Sequence, residues 1–301
     1  MEKSIKAVEL VKNKKPLKLL VGHITILALI FTAGKATSTL STQKIMILTG
    51  SWTIILLGVI ALRSTLLNSI ITNKNFQTHN LNKENSSKLL TFLDVTFFLI
   101  IRGVDILILK VFFKIEAINT HLIPKDGAII ITANHTSHID SMILQATFPR
   151  RITYMLLSKY FETWGKWFFK SQHVIPIKEQ GVNCEALKEG LELLKNCGTL
   201  GIFPEGKMST DGNLQEGKHG ISFLAIKSEA TIVPAYIDGA FEVLPAGAFS
   251  PRFFRKIKII YGEPIYFNNK YINERESREQ FTNRVMDEIK KLYYLKDFKE
   301  Y

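Results

Sequence analysis

Two long apolar runs, separated by a short polar loop, open the sequence. They are residues 17–34 and 45–62, and the second contains no charged residue. A helix of about 18 to 20 apolar residues is long enough to cross the hydrocarbon core of a bilayer. We therefore predict that residues 1–71 form an N-terminal transmembrane helical hairpin that anchors the chain.

The lysines and arginines around this hairpin indicate its orientation. Six lysines lie among residues 1–18 and further cations follow residue 62, whereas only Lys35 and Lys44 flank the loop between the runs. By the positive-inside rule, both ends of the hairpin face the cytoplasm. We expect a cell-membrane protein whose later domain is cytoplasmic. A cleaved signal peptide is the alternative for the first run, but no clear cleavage site follows it.

Residues 72–115 are predicted to be a linker followed by a membrane-surface helix. Residues 72–88 are polar and rich in asparagine, and residues 89–113 are apolar but interrupted by Asp94, Arg102 and Asp105. Three charges would be costly at the centre of a bilayer, so a position on the membrane surface is favoured. The alternative is a third full span, which would place the following domain outside.

The remaining residues, 116–301, alternate between short apolar runs and longer segments with helical periodicity. This alternation predicts an α/β fold with a largely parallel sheet flanked by helices. The candidate strands are 127–133, 152–156, 173–177, 199–203, 231–237 and 256–261, and the candidate helices are 138–147, 159–170, 182–196, 218–228 and 274–294. In the last helix, Phe281, Val285, Ile289 and Leu292 recur at helical spacing, so that face is expected to pack.

Composition narrows the possible partners and the compartment. Lysine and arginine exceed aspartate and glutamate by 39 to 27, which suits anionic lipid headgroups or phosphorylated substrates. The sequence has no zinc-finger spacing, leucine zipper or basic-aromatic RNA-binding run, so no nucleic-acid partner is expected. The two cysteines, Cys184 and Cys197, are predicted to be buried, reduced thiols in a cytosol-facing domain.

The segment Asn134-His-Thr-Ser-His-Ile-Asp140 follows the first candidate strand of this domain. Ser137 and Asp140 have the spacing of a capping box that opens a helix. Residues five apart lie about 140° apart around a straight helix. His135 and Asp140 can therefore meet only if His135 lies in the turn before the helix. The pattern leaves two interpretations open: a catalytic His–Asp pair, or a capping aspartate beside a polar loop histidine.

Two further strand ends carry charged residues. Phe203-Pro-Glu-Gly-Lys207 combines proline and glycine in a rigid bend that presents Glu205 and Lys207, and the strand from His173 ends at Lys178. Taken singly, these are ordinary charged turns. His135 and His138 lack the additional ligands that a metal site needs, so no metal is expected. Neither a GxSxG elbow nor a P-loop is present.

Together, these segments resemble the motifs of the glycerolipid acyltransferases typified by 1-acyl-glycerol-3-phosphate acyltransferase. The first segment is similar to the NHxSxxD motif, His173 to Lys178 to the second block, and Phe203-Pro-Glu-Gly206 is identical to the core of the third. Ile232 to Ile237 is similar to the fourth. Gly217-Lys-His-Gly220 and Tyr261 to Ile265 also fit the family. The resemblance covers residues 115 to 267 and marks 116–301 as the acyltransferase domain.

The resemblance implies a reaction and a role for each matched residue. His135 would be the general base and Asp140 its orienting partner, in the transfer of an acyl group from acyl-CoA or acyl-carrier protein to a lysophospholipid hydroxyl. Neither a metal nor any cofactor beyond the acyl carrier is then needed. The residues expected to bind or position substrate are Asn134, Ser137, Lys178, Glu205, Gly206 and Lys207.

The sequence departs from the family pattern at two positions. Met208 stands where the third block usually has arginine, and Lys178 replaces the usual phosphate-binding arginine of the second block. Lysine binds phosphate as a point charge and not as a bidentate fork. Lysophosphatidate is the expected acceptor, with another lysophospholipid or a lyso-aminolipid as the alternative. A thioester hydrolase and a non-catalytic lipid-binding membrane protein are the rival functions.

Overall fold

The computed structural model describes residues 83–158, 172–179, 183–248, 250–266 and 277–296. The predicted hairpin at 1–71 and the candidate helix at 159–170 lie outside these ranges. The chain divides into two compact units, residues 1–98 and 99–301. The first unit is described only over residues 83–98, which belong to a helix.

That helix, α1, extends over Lys83–Phe113. It begins inside the polar segment interpreted from the sequence as a linker, because lysine and glutamate have favourable helix propensities. The helical assignment of residues 89–113 is confirmed. Asp94, Arg102 and Asp105 interrupt its apolar character, and none of the helices described has both the length and the apolar composition of a membrane span.

The second unit contains a seven-stranded sheet in the order β1-β7-β6-β2-β5-β3-β4. All adjacent pairs are parallel except β6 and β7, which are antiparallel. The strands are β1 (Glu116–Ile118), β2 (Ile129–Ala133), β3 (Thr153–Leu157), β4 (Ile175–Ile177), β5 (Thr199–Ile202), β6 (Thr231–Asp238) and β7 (Lys258–Tyr261). The predicted α/β fold with a largely parallel sheet is confirmed, and all six candidate strands are present.

Helices connect the strands and flank the sheet. They are α2 (Asp140–Thr147), α3 (Cys184–Lys195), α4 (Gly220–Ser228), the short α5 (Ala240–Val243) and α6 (Ser277–Leu295), and a 3₁₀ turn lies at Thr120–Leu122. Four of these helices match candidates from the sequence, whereas β1 and α5 were not predicted. Cys184 and Cys197 are free but exposed, so the prediction that they are buried was wrong. Both lie at the exposed ends of α3.

A hydrophobic core on one face of the sheet supports the strands that carry the turns at Asn134 and Phe203. Ile130, Leu200 and Ile232 project from β2, β5 and β6 into this core, which α3, α4 and α6 cover. On α6, Val285 and Ile289 are fully buried, as their spacing predicted. Burial of such side chains contributes roughly 1.5–3 kcal/mol each. The central strands are therefore a rigid support for the turns that follow them.

The register of the central strands brings two of these turns to the same edge. Thr132 of β2 is opposite Ile202 of β5, and Ala133 is opposite Ala235 of β6. Every residue of β2 is buried, as expected for a central parallel strand. Because β2 and β5 run parallel, the turn that begins at Asn134 and the turn that begins at Phe203 leave the sheet side by side.

Candidate active site

His135 and Asp140 form a direct side-chain contact in the turn after β2. The Nδ1 atom of His135 lies 2.9 Å from Oδ2 of Asp140. Asp140 is fully buried, whereas about a quarter of the His135 side chain is exposed. His135 lies before the helix and folds back over its start, which is the geometry expected for a pair at this spacing. The structure therefore brings the two residues together with the histidine at the surface.

The same aspartate also organises the backbone of the turn. Its Oδ2 atom accepts hydrogen bonds from the backbone N–H groups of Thr136, at 2.7 Å, and Ser137, at 2.8 Å. The contact to Ser137 is one half of the predicted capping box, but α2 begins at Asp140 and not at residue 138. Asp140 thus contacts both the backbone of the turn and the ring of His135.

Burial and hydrogen bonding act on Asp140 in opposite directions. Burial raises the pKa of its carboxyl group, while the His135 ring and the two backbone N–H groups favour the ionised form. An ionised Asp140 accepts a hydrogen bond from the N–H group at Nδ1 of His135. That contact selects the tautomer whose other nitrogen, Nε2, carries a lone pair. The arrangement can therefore make His135 a proton acceptor.

Aromatic stacking fixes the plane of the His135 ring. Phe203 lies parallel to it, with ring centroids 4.0 Å apart and an interplanar angle of 12°. Tyr154 also stacks with Phe203, with ring centroids 6.3 Å apart. The Tyr154 hydroxyl donates a hydrogen bond to the backbone carbonyl of Ser141. The sequence placed Phe203 in a motif but gave it no role. Its function as a support for the imidazole follows only from the three-dimensional contact.

Glu205 holds the backbone of His135 in place. Its Oε1 atom accepts the backbone N–H of His135 at 2.8 Å, and its Oε2 atom accepts that of Gln215 at 3.1 Å. Ser209 in turn donates its N–H to the carbonyl of His135 at 2.7 Å. Both backbone polar groups of His135 are therefore bonded to the turn after β5, and both oxygens of Glu205 have backbone partners.

The environment of Glu205 has an electrostatic consequence. Only 1% of the residue is exposed, and burial raises the pKa of its carboxyl group to about 7, against the opposing effect of the His135 and Gln215 N–H groups. A carboxyl group with such a pKa exchanges its proton near neutral pH. The stability of the contact between the two turns is therefore expected to depend on pH.

Asn134 and Ser137, two predicted substrate-binding residues, are buried and bonded to distant backbone. The Asn134 side chain exchanges two hydrogen bonds with Ile237, donating to its carbonyl at 2.9 Å and accepting its N–H at 2.7 Å. The Ser137 hydroxyl donates to the carbonyl of Leu244 at 2.6 Å. These side chains extend the pairing of β2 with β6 and attach the turn to the segment after α5.

The predicted cations lie at two different places along the sheet edge. Lys207 is exposed and follows Gly206, whereas Lys178 is exposed at the end of β4, which is separated from β2 by β5 and β3. The backbone of Lys178 is closed into a turn by the side chain of Asn183, which accepts its N–H at 2.6 Å. The strand that precedes Lys207 is adjacent to β2, whereas the strand that precedes Lys178 is not. Lys207 therefore lies nearer to the turn of His135 than Lys178 does.

A further lysine lies at the glycine of the third motif. Gly206 has a φ of +66°, and a Cβ atom there would lie 2.7 Å from Cδ of Lys218. Lys218 also donates its backbone N–H to the carbonyl of Pro204 at 2.7 Å. Glycine at 206 thus lets the Lys218 side chain pass beside the motif. No pattern in the sequence marks Lys218 as a binding residue, although it belongs to the segment Gly217-Lys-His-Gly220, which is similar to the family.

Comparison with known proteins identifies the domain that carries this site. Residues 114–238, which include β1 to β6 and every predicted site residue, match the family model described as Acyltransferase. These residues form an acyltransferase domain. The chain is an acyltransferase similar to the 1-acyl-sn-glycerol-3-phosphate acyltransferases. In the part of the chain that the structure describes, no cluster of three or more metal-ligating side chains is found.

Several relatives of this acyltransferase have assigned names. The chain is 27% identical over 184 residues to a 1-acyl-sn-glycerol-3-phosphate acyltransferase of Bacillus subtilis, covering 59% of this chain and 87% of that protein. It is 26% identical to a probable 1-acyl-sn-glycerol-3-phosphate acyltransferase of Mycoplasma pneumoniae, over 76% of this chain and 86% of that one. A chloroplastic relative from Arabidopsis thaliana is 26% identical, and the match spans half of its length.

A solved structure shares the fold of this acyltransferase. The crystal structure of the 1-acyl-sn-glycerophosphate acyltransferase PlsC from Thermotoga maritima superposes with a TM-score of 0.57. The superposition covers 83% of this chain and 99% of that protein, at 19% sequence identity. The similarity supports the α/β architecture with its mostly parallel sheet and flanking helices.

Proposed function

We propose that this acyltransferase moves a fatty acyl group from a thioester donor to the free hydroxyl of a lysophospholipid. The leading acceptor is 1-acyl-glycerol-3-phosphate, which would give phosphatidic acid, because that substrate appears in the names of the Bacillus and Mycoplasma relatives. The observation that carries the proposal is the contact of 2.9 Å between Nδ1 of His135 and the buried Asp140. It makes the outer nitrogen of the ring available as a base.

In the proposed mechanism, His135 takes the proton of the acceptor hydroxyl. The oxygen then attacks the thioester carbonyl carbon, a carbon–oxygen bond forms, and the carbon–sulfur bond breaks. The thiolate of the donor leaves and receives the proton back from the imidazolium. Asp140 stabilises the positive charge that develops on His135 during the transfer. A positioned base of this kind typically contributes about 10²- to 10⁴-fold in rate.

The acceptor phosphate is proposed to bind at exposed lysines near this site. Lys207 and Lys218 flank the Phe-Pro-Glu-Gly turn, and Lys178 lies farther along the same edge. Met208 occupies the position of the usual arginine, so these ammonium groups would supply the positive charge. Each binds phosphate as a compact point charge, which tolerates differences in headgroup orientation. Asn134, Ser137 and Glu205 would position the turns around the acceptor, since their side chains bond to backbone.

The substrates of this reaction are amphiphiles, so the enzyme is proposed to be membrane-bound. The predicted hairpin at 1–71 would anchor it in the cell membrane, with the catalytic domain on the cytoplasmic side, where acyl-CoA and acyl-carrier protein occur. The distribution of cations around the hairpin supports this orientation. Neither a metal nor a cofactor beyond the acyl carrier takes part in the proposed chemistry.

A substrate panel tests this function. Purified full-length protein in detergent would be assayed with acyl-CoA and with acyl-carrier protein against lysophosphatidate, lysophosphatidylcholine, lysophosphatidylglycerol and a lyso-aminolipid. We expect thiol release that depends on the acceptor, with lysophosphatidate giving the highest kcat/KM. Release that is independent of the acceptor would indicate a hydrolase. An absence of release with every donor and acceptor would contradict acyl transfer.

A further inference from the structure

Two adjacent phenylalanines are exposed on a basic loop of the acyltransferase unit. Phe253 is 42% exposed and Phe254 is 61% exposed. The loop between α5 and β7 contains Pro251-Arg-Phe-Phe-Arg-Lys256, with no acidic residue between Ser250 and Lys258. We define residues 250–256 as the aromatic-basic loop. Exposed aromatic side chains between cations are typical of surfaces that bind a partner and are uncommon on an unpartnered surface.

The backbone of the aromatic-basic loop is fixed by hydrogen bonds. Arg252 donates its N–H to the carbonyl of Val243 at 2.8 Å, and Phe254 donates to the carbonyl of Phe112 at 2.9 Å. Ile257 donates to the carbonyl of Phe113 at the same distance. Phe254 has a φ of +64°, a conformation that is unfavourable for a side chain with a Cβ and persists only when its surroundings impose it. The backbone that carries the two rings is thus held in one conformation.

Buried aromatic rings form a base beneath the loop. Phe253 contacts Phe112 with ring centroids 5.4 Å apart and stacks on Phe113 at 5.9 Å, while Phe254 lies 6.2 Å from Phe112. Phe112 and Phe113 are themselves buried at the end of α1. The exposed ring of Phe254 consequently packs against the buried ring of Phe112. It can therefore enter an apolar medium without rearrangement of the protein.

Exposed cations lie close to the exposed rings in sequence. Arg252 and Arg255 flank the phenylalanine pair, and Lys110 and Lys114 are exposed at the end of α1, beside Phe112 and Phe113 in sequence. Lys256 forms an ion pair with Glu116, so it contributes less net charge. The combination of an apolar tip with flanking positive charge is complementary to an anionic lipid surface. Acyl chains accept the rings, and negatively charged headgroups attract the cations.

The aromatic-basic loop is also linked to the turn of the candidate active site. Val243 accepts the N–H of Arg252, and the next carbonyl, of Leu244, accepts the hydroxyl of Ser137. Consecutive peptide groups therefore connect the loop to the His135–Asp140 turn. A surface contact made by this loop would hold the active-site turn close to that surface.

We propose that the aromatic-basic loop is a second membrane contact, in which Phe253 and Phe254 enter the headgroup region of an anionic phospholipid bilayer. It would bring the active-site turn to the plane where a lysophospholipid presents its hydroxyl. The inference rests on the proposed function only in assuming a membrane-borne acceptor. An acidic carrier protein is the competing partner, but a pair of outward phenylalanines on an otherwise cationic loop fits lipid better than an anionic protein surface.

Fluorescence quenching tests the insertion independently of catalysis. Phe254→Trp in the full-length protein would be reconstituted into phosphatidylcholine–phosphatidylglycerol vesicles that contain brominated phosphatidylcholine. The matched control is Tyr294→Trp on α6, whose parent residue is 60% exposed, and the native emission is subtracted using the unsubstituted protein. We expect bromolipid to quench the emission added by Phe254→Trp by at least about twofold more than that added by Tyr294→Trp.

Two results of this experiment would overturn the proposal. One is an added emission that aqueous acrylamide quenches fully while bromolipid has no effect. The other is an emission that changes on addition of acyl-carrier protein but not on addition of vesicles, which would assign the loop to the carrier protein. Neither result depends on acyl transfer. A failure of the proposed function would therefore leave this measurement interpretable.

A charge-reversal pair tests the electrostatic part. Arg252→Glu with Arg255→Glu is compared with Lys290→Glu with Lys291→Glu, two exposed lysines of α6. Adding phosphatidylglycerol to vesicles should lower the apparent acceptor KM of the unsubstituted enzyme. In the variant with Arg252→Glu and Arg255→Glu, this lowering of KM should be smaller by a factor of about five or more. The second pair should retain it. Equal behaviour of the two pairs, or no loss in the first, would contradict the proposal.

Discussion

His135 is held at its ring and at both of its backbone polar groups. The ring bonds to Asp140 through Nδ1 and stacks on Phe203 at 4.0 Å. The backbone N–H bonds to Glu205, and the carbonyl accepts the N–H of Ser209. In the proposed role of His135 as a base, a side chain fixed in this way needs little reorganisation when the acceptor arrives, which is the condition for efficient proton transfer.

Replacement of Asp140 by asparagine tests the orienting role of the carboxylate. Asp140→Asn keeps the size of the side chain but can no longer both accept from Nδ1 of His135 and stabilise an imidazolium. We expect kcat to fall about 10³- to 10⁴-fold, with little change in the acceptor KM. Steady-state kinetics on detergent-solubilised protein would measure both. A variant with normal kcat would restrict Asp140 to fixing the backbone of the turn.

The raised pKa of Glu205 predicts a pH-dependent stability. Because the folded-state pKa of about 7 exceeds the ordinary value of 4.5, the folded protein binds the proton more tightly. The resulting stabilisation is complete below about pH 4.5 and is lost as pH rises through about 7, by up to roughly 3 kcal/mol. Denaturant unfolding in detergent at a series of pH values should show this loss in the unsubstituted protein.

The control for this prediction is Glu205→Gln, which carries no titrating group. The difference in unfolding free energy between the two proteins should change with pH between about 4.5 and 7 and be constant above about pH 8. A difference that does not vary with pH would contradict the raised pKa.

At the scale of elements, the site consists of two turns that leave parallel strands next to each other. The turn of residues 134–140 follows β2, and the turn of residues 203–207 follows β5. Glu205 and Ser209 then bond the second turn to the first. The edge at the carboxyl ends of the strands, where open α/β sheets bind ligands, therefore carries both His135 and the nearby cations.

The lysines of these turns should contribute to acceptor binding unequally. Lys218 and Lys207 lie at the turn bonded to His135, whereas Lys178 lies at the end of β4. We expect Lys218→Ala and Lys178→Ala each to raise the acceptor KM about five- to tenfold with kcat nearly unchanged, the effect being larger for Lys218. Lys188→Ala on α3 is the control. An unaltered acceptor KM in both variants would exclude these cations from phosphate binding.

Much of the fold follows from the sequence because buried strands leave a clear pattern. The continuous apolar run of β2 predicts a strand covered on both faces, and all its residues are buried. β1 was missed because Glu116-Ala-Ile is too short and polar to show a pattern. The antiparallel pairing of β6 with β7 was also not predictable, since strand neighbours depend on how the chain crosses the sheet.

The site was predicted less completely, for a physical reason. The His135–Asp140 contact joins residues five apart, so local spacing suggests it. Asn134, Ser137 and Glu205 bond instead to residues separated from them by 103, 107 and 70 positions. No local pattern contains such a contact. The sequence identifies these residues through the motifs, but only the structure shows that their side chains bond to backbone.

At the scale of the whole molecule, a basic chain with a predicted N-terminal hairpin carries the acyltransferase domain. The formal net charge of +12 favours association with anionic membranes. A lysophospholipid acceptor resides in the membrane, whereas acyl-CoA and acyl-carrier protein are soluble. The proposed orientation would allow the enzyme to meet both substrates on the cytoplasmic side.

The two exposed cysteines provide a test of this orientation. Cys184 and Cys197 are free and exposed, so a membrane-impermeant maleimide should label them only after the cell membrane is permeabilised. The control replaces both by serine and introduces Ser38→Cys in the predicted loop between the two apolar runs. That variant should be labelled in intact cells. Labelling of Cys184 and Cys197 without permeabilisation would contradict a cytoplasmic catalytic domain.

The central claim is that His135 activates a lysophospholipid hydroxyl for attack on an acyl thioester. Release of free thiol by full-length protein, measured with and without lysophosphatidate for the unsubstituted enzyme and His135→Ala, tests it most directly. We predict that release requires lysophosphatidate and falls at least about 10³-fold in His135→Ala, while membrane association is unchanged. Acceptor-dependent release that persists at the normal rate in His135→Ala would contradict the claim.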